Sequence, residues 1–289
     1  LKSKDNIKII VIYKYLEKNM SRNFIREKKI FCSDTYMEVD IYPYTDIERK
    51  KGKRSKKKKE SEPKQKNLND KNAKRYLIQK IHANFKDNDL YITLTYTNSS
   101  LPDNIQEAEK NIQNYIRRLK RARKKAGLDE LKYIAVTEHS EDEDTGKIVR
   151  IHHHLIINSG LNRDEVEELW RKKRTKGESQ GKKIGFVNAN RIQEDENTGL
   201  TSLAKYLSKD PRGKKRWTCS KNLVNPTSRT NDYKYTRKKI ISLATNHVDI
   251  SYWERKYPGW TIKDKIGGYE AVYNDFTGWS IYLKLRKKE

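Results

Sequence analysis

Along this chain the spacing of apolar positions switches between a period of two and a period near 3.6, and the switches mark out a succession of strands and helices. Residues 28–44 hold two short alternating runs, Lys29-Ile30-Phe31-Cys32 and Tyr36-Met37-Glu38-Val39-Asp40-Ile41-Tyr42, read as strands that attach to or flank a main sheet. Residues 69–84 carry Ala73, Tyr76, Leu77 and Ile81 at helical spacing behind the capping candidate Asn69. Leu90-Tyr91-Ile92-Thr93-Leu94-Thr95-Tyr96 is rich in strand formers and closes on the turn-forming Asn98-Ser99-Ser100-Leu101-Pro102. Between 103 and 126, Ile105, Ala108, Ile112, Tyr115, Ile116 and Leu119 form one helical stripe with a basic end at Arg117, Arg118, Lys120 and Arg121.

A strand over 131–138, an acidic turn at 141–146 and a second strand over 150–158 read as a hairpin. Asn162 then caps a helix through Val166, Leu169 and Trp170, a basic loop spans 171–183, and 184–192 is a further strand. A short helix over 199–209 stops at Asp210-Pro211. The order is that of a βαββαβ unit with one helix added. The expected class is therefore α+β, a ferredoxin-like or RRM-like antiparallel sheet flanked by helices, with its third strand beside its first.

Composition changes this picture at the ends. Only 34% of the 289 residues are hydrophobic and 36% are charged, too few apolar groups for the whole chain to be packed interior. Residues 49–59 are almost entirely Lys and Arg, a run that repels itself and reads as a flexible arm. We therefore expect an N-terminal extension over 1–68 that contains this arm, a central domain over 69–215, and a basic aromatic extension over 216–289. That extension is either an accessory unit or completes the sheet, and it ends in a strand through Trp279, Ile281, Leu283 and Leu285.

A net charge of +26 points to a polyanion, and the 18 Tyr and 5 Trp interleaved with the cations favour nucleic acid, since aromatics stack on bases while cations neutralise phosphates. Cys32 and Cys219 stand far apart in no zinc spacing, which fits a reducing, intracellular setting. The apolar run at 7–13 is too short and too interrupted to cross a bilayer, so no membrane partner is expected. Met20 is a candidate start.

The candidate chemistry sits on the third strand. In Arg150-Ile151-His152-His153-His154-Leu155-Ile156-Ile157 alternation sends His152 and His154 to one face with Ile156, and His153 to the other with Ile151, Leu155 and Ile157. Two neutral imidazoles two residues apart on a strand can share a divalent cation. Leucine at 153 is expected to restore an apolar face. On the last helix Leu200, Leu203, Ala204 and Leu207 form the buried stripe. Tyr206 falls roughly 110° from its centre, with Lys209 one turn on. Taken alone, that helix is an ordinary amphipathic one.

Three segments together resemble the three motifs of the HUH endonuclease superfamily, the rolling-circle replication initiators and their relatives. Ile92-Thr93-Leu94-Thr95-Tyr96 is similar to the first motif, His152-His153-His154 to the histidine-hydrophobic-histidine motif, and Tyr206-Leu207-Ser208-Lys209-Asp210 to the Tyr-x-x-Lys motif. The resemblance covers residues 69–215 and is closest to single-tyrosine initiators of bacterial plasmids, phages and integrated elements, because Asp210 stands where some relatives carry a second tyrosine. The central histidine departs from the usual bulky apolar residue.

The resemblance implies a metal site of His152, His154 and an upstream acidic or polar residue. Glu138 is the matching position, with His139 and the acidic turn as competitors. It further implies Mg²⁺ or Mn²⁺, nucleophilic attack by Tyr206 on a metal-polarised phosphate, a positioning role for Lys209, and a covalent 5′-phosphotyrosine. Nucleic-acid contacts are expected from Thr93, Thr95 and Tyr96, from Arg150 and Lys205 beside the motifs, and from Lys53, Arg54 and Lys57 in the arm. The partners would be a single-stranded or hairpin DNA origin in the bacterial cytoplasm and, because no Gly-x4-Gly-Lys-[Ser/Thr] loop occurs, a host helicase together with a polymerase. A relaxase or transposase with the same chemistry, a water-using metal nuclease, and a non-catalytic sheet offering aromatics such as Tyr91 to single strands are the competing readings.

Overall fold

The structure is a computed structural model that describes residues 23–45, 63–141, 148–195, 199–207, 217–246, 249–263 and 267–288, with the backbone alone at 23, 63–66, 141 and 148–150. In chain order the strands and helices begin with β1 (Asn23–Phe31), β2 (Tyr36–Thr45), α1 (Pro63–His82), β3 (Leu90–Thr95) and α2 (Ile105–Lys125). Next come β4 (Tyr133–Glu141), β5 (Ile148–Ile157), α3 (Arg163–Glu168), β6 (Val187–Arg191), α4 (Thr201–Leu207) and β7 (Thr218–Cys219). The last are β8 (Thr227–Tyr235), α5 (Arg237–Thr245), α6 (Ile250–Lys256), β9 (Trp260–Ile262), β10 (Tyr269–Asn274) and β11 (Gly278–Lys287). The chain is α+β, with two antiparallel sheets.

One compact unit spans 62–226. Its sheet runs β6-β3-β5-β4-β7, so the order of its first four strands is that of a ferredoxin-like unit, and the histidine strand β5 lies between β3 and β4. Alternation gives this sheet two buried faces. On one, Leu90, Ile92, Leu94, Leu155, Ile157 and Ala135 pack under the stripe of α2, Ile112, Tyr115, Ile116 and Leu119, with Trp170 fully buried beside them. Each such Leu or Ile contributes on the order of 1.5–3 kcal/mol by leaving water. On the other face, Ile134, Val136 and Ile156 pack against Leu77, Ile78 and Ile81 of α1 and against Leu200, Ala204 and Leu207 at α4.

Local chemistry fixes the ends of these elements. Asn104 caps α2 by accepting from Glu107 N, and Asn162 with Glu165 forms a capping box on α3. Gly185 lies so close to β3 that a Cβ there would stand 2.0 Å from the Thr95 carbonyl, so only glycine lets the chain enter β6 beside that strand.

The second unit corrects the expected three-part division. The N- and C-terminal segments are not separate extensions: 1–61 and 227–289 form one unit, and residues 216–226 belong with the central domain, where β7 pairs with β4. Its sheet runs β10-β11-β2-β1-β8, with β9 on β11, so β1 and β2 pair with the C-terminal strands β8 and β11 rather than with the histidine sheet. The physical reason is that each segment alone leaves open edges and half a core, whereas together they bury Met37, Val39, Ile41, Ile281, Leu283 and Leu285 under α5 and α6 with Trp253. The 49–59 arm, including Lys53, Arg54 and Lys57, lies outside the described residues. So do the acidic turn at 142–147 and residues 208–216, including Lys209 and Asp210.

Candidate metal centre and tyrosine

The face that carries α1 and α4 also carries a cluster of potential ligands. Register places Glu138 of β4 directly across from His152 of β5, and His154 across from Thr93 of β3. Glu138 Oε2 lies 3.1 Å from His152 Nε2 and 3.4 Å from His154 Nε2, and the two imidazole rings stand at 89° with centroids 4.9 Å apart. One ligand atom from each residue falls within 4.8 Å of the others, and these three are the cluster of this kind among the described residues. The register of β4 slips between Glu138 and Ser140, an irregularity at His139 of the kind strands use to re-aim side chains beside functional sites. Buried His139, the competing position, is outside the cluster.

The donor set suits a hard or borderline divalent cation. His154 is 3% exposed, and its buried Nε2 has no hydrogen-bond partner among the described residues. Burial, reinforced by the neighbouring charge of His152 and opposed by Glu138, pushes the His154 pKa down to about 4, so this imidazole is neutral at neutral pH and keeps a lone pair. His152 and Glu138 are 28% and 36% exposed, so the cluster opens to solvent on one side, where a substrate oxygen could enter. An unpartnered nitrogen, a neutral imidazole and a carboxylate converging on one point fit Mg²⁺ or Mn²⁺.

Helix α4 brings Tyr206 to this cluster. Leu207 and Ala204 are buried while Tyr206 is 47% exposed, and its ring meets the His154 ring edge-on at 5.3 Å and the Tyr91 ring at 6.5 Å. The helix is tied down at its first residue, where buried Thr201 Oγ1 lies 3.1 Å from Nε2 of buried His82 on α1. A short helix gains little stability by itself, so this contact and the α1 packing fix where Tyr206 stands.

The nucleic-acid residues expected from sequence divide. Thr93 Oγ1 lies 3.3 Å from His154 Nδ1, and Thr95 donates to the Phe186 carbonyl on the same face. Lys205 is exposed on α4 beside Tyr206, and the backbone of Arg150 lies in β5. Tyr96 points the other way. It packs on Trp170, its hydroxyl lies 2.8 Å from His153 Nε2, and burial raises its pKa, so the structure makes it part of the core rather than of the exposed face.

His153 also departs from expectation. It is fully buried on the α2 face, but as a polar link: Nε2 meets Tyr96 Oη, and Nδ1 lies 2.9 Å from Thr137 Oγ1. Burial drives its pKa down to about 3, so it is a neutral bridge between two hydroxyls, and leucine there would orphan both. The sequence reading also passed over the role of Tyr91 beside His154, although alternation already put Tyr91 on the same face as Thr93 and diagonal to His154.

Among the described residues no helix is long and apolar enough to cross a membrane. No curated protein and no solved structure matches the chain. Residues 89–211, from just before β3 to just past α4, match the family model described as replication-associated protein, of the ORF2 type. The matched segment contains Glu138, His152, His154 and Tyr206, and it supports a role in replication initiation.

Proposed function

We propose that this protein is a metal-dependent, single-tyrosine DNA endonuclease and strand transferase that nicks and rejoins single-stranded DNA at a rolling-circle origin. The observation that carries the reading is the placement of the Tyr206 ring 5.3 Å from His154, on the same sheet face as the Glu138–His152–His154 cluster. A nucleophile and a cation site side by side are what phosphodiester transesterification requires.

Glu138, His152 and His154 would hold Mg²⁺ or Mn²⁺, which supplies charge neutralisation at the scissile phosphate. Tyr206 Oη, a weak nucleophile while protonated, gives up its proton and forms a bond to phosphorus. The P–O3′ bond breaks, and the 3′ oxygen takes a proton to leave a free hydroxyl. The other fragment is left on Tyr206 as a 5′-phosphotyrosine, which keeps the bond energy for rejoining when a 3′ hydroxyl attacks in the reverse sense. Lys209, placed by the Tyr-x-x-Lys resemblance one turn after Tyr206, would hold a phosphate oxygen through attack. The free 3′ hydroxyl is the end a host polymerase extends, and a host helicase would supply unwinding.

The test is incubation of the full chain with labelled single-stranded origin DNA and Mn²⁺. The expected result is a denaturation-resistant band of protein carrying DNA, lost on chelation. Cleaved DNA with no attached protein under either metal would mean that water is the nucleophile, and binding without cleavage would mean a non-catalytic role.

A further inference from the structure

The chemistry above leaves Tyr91 without a task, yet its geometry is specific. Its Oη lies 2.6 Å from His154 Nδ1, its ring stacks on the imidazole at 8° with centroids 5.8 Å apart, and its edge meets Tyr206. The hydroxyl also hydrogen-bonds Thr93, whose own oxygen is 3.3 Å from the same Nδ1. Two hydroxyls thus converge on the nitrogen that faces away from Glu138, while Nε2, the nitrogen that faces it, is buried without a hydrogen bond.

A neutral imidazole carries its proton on one nitrogen only, and the nitrogen without it is the one that can bind a cation. We infer that Tyr91 is a positioning residue that holds the His154 proton on Nδ1 by accepting it at Oη, so that Nε2 stays bare toward Glu138. This inference rests on the metal reading proposed above. In this arrangement His154 Nδ1–H donates to Tyr91 Oη, and the phenol O–H donates on to Thr93 Oγ1. The stacked ring fixes the plane of the imidazole, the second quantity a ligand must have right. Tyr91 is thereby excluded as a second nucleophile, since its oxygen sits on the far side of the imidazole from Glu138.

Tyr91→Phe keeps the ring and removes the oxygen. The prediction is a roughly 10- to 100-fold weaker affinity of the full chain for Mn²⁺, followed by the electron paramagnetic resonance signal of the free ion, with an unchanged melting temperature. Thr93→Val should cost less by itself and add to the loss in the double variant, because Thr93 is the more distant of the two hydroxyls. Wild-type Mn²⁺ affinity in Tyr91→Phe would overturn the inference while leaving the metal site standing. A wild-type chain whose Mn²⁺ uptake is insensitive to His152→Ala and His154→Ala would instead remove the metal reading itself. Should Tyr91→Phe fail to fold, the ¹⁵N resonances of His154 in the metal-free wild-type chain decide the matter. A proton on Nδ1 is expected, and a proton on Nε2 contradicts the role.

Discussion

Each of the two units holds a carboxylate among rings and cations, and the two are finished differently. In the unit formed by the chain ends, Glu27 is 3% exposed, and its Oε1 accepts from Lys234 Nζ at 2.5 Å and from Tyr257 Oη at 2.6 Å. Tyr257 is in turn linked to Tyr235 at 3.1 Å. Burial, with Tyr235 and Glu27 close by, drives the Tyr257 pKa far up, so the phenol stays a donor and the carboxylate is neutralised within the chain. In the histidine unit, Glu138 faces one histidine that is neutral and another nitrogen at 3.1 Å, and the cluster stays open to solvent. The first arrangement supplies its own cation and is structural. The second has the geometry of a site that takes its cation from solution, and closure against openness separates the two more reliably than residue type does.

The largest effect should fall on the open cluster. His152→Ala and His154→Ala should each lower cleavage by at least about 10³-fold, as chelation should, while salt-sensitive DNA binding in a filter or polarisation assay stays largely intact. Full cleavage in the double variant would remove the distinction. The closed cluster should respond in stability instead. Glu27→Ala leaves Lys234 and Tyr257 without their acceptor and should cost about 2–4 kcal/mol in denaturant unfolding, whereas Glu138→Gln, in the absence of metal, should change stability by less than about 1 kcal/mol. Equal losses would mean that Glu138 is a structural residue too.

A smaller effect separates the two faces of β5. His153→Leu should cost about 1–3 kcal/mol by orphaning Tyr96 and Thr137, and Mn²⁺ affinity should change little once folding is accounted for. Stability equal to wild type would restore the simpler view of position 153 as an apolar slot. The smallest effect concerns the arm. Deleting residues 49–59 should weaken binding to all single-stranded sequences alike and flatten the plot of log affinity against log salt by about 0.7 per lost phosphate contact. A loss confined to one origin sequence would make the arm a reader of bases.

What the sequence disclosed follows the range of the interactions involved. Alternation within β5 separates His152 and His154 from His153, and the 3.6-residue stripe of α4 puts Tyr206 at the edge of the core; both are local consequences of backbone geometry. The βαββαβ order was legible for the same reason. The second sheet was not, because its pairings join residues such as Arg26 and Asp232, 206 positions apart, and no local period encodes a partner at that distance. Tyr96 and His153 were misread for a related reason. Their hydroxyl and imidazole satisfy one another inside the core, so two polar residues that look available singly are buried as a pair. The slip in register at His139 also depends on the cross-strand partner and leaves no mark on β4 alone.

The central claim is that Tyr206 is the nucleophile beside the Glu138–His152–His154 cluster, and one experiment tests it most directly. An origin oligonucleotide is labelled in turn on the 3′ side and on the 5′ side of the nick, then incubated with Mn²⁺ and either the wild-type chain or Tyr206→Phe, which keeps the ring against His154 and removes only the oxygen. The prediction is that the 3′-side label migrates with wild-type protein, the 5′-side label is released with a free 3′ hydroxyl, and Tyr206→Phe binds DNA but yields neither cleavage nor adduct. Cleavage by Tyr206→Phe, or an adduct that carries the 5′-side label, would contradict it.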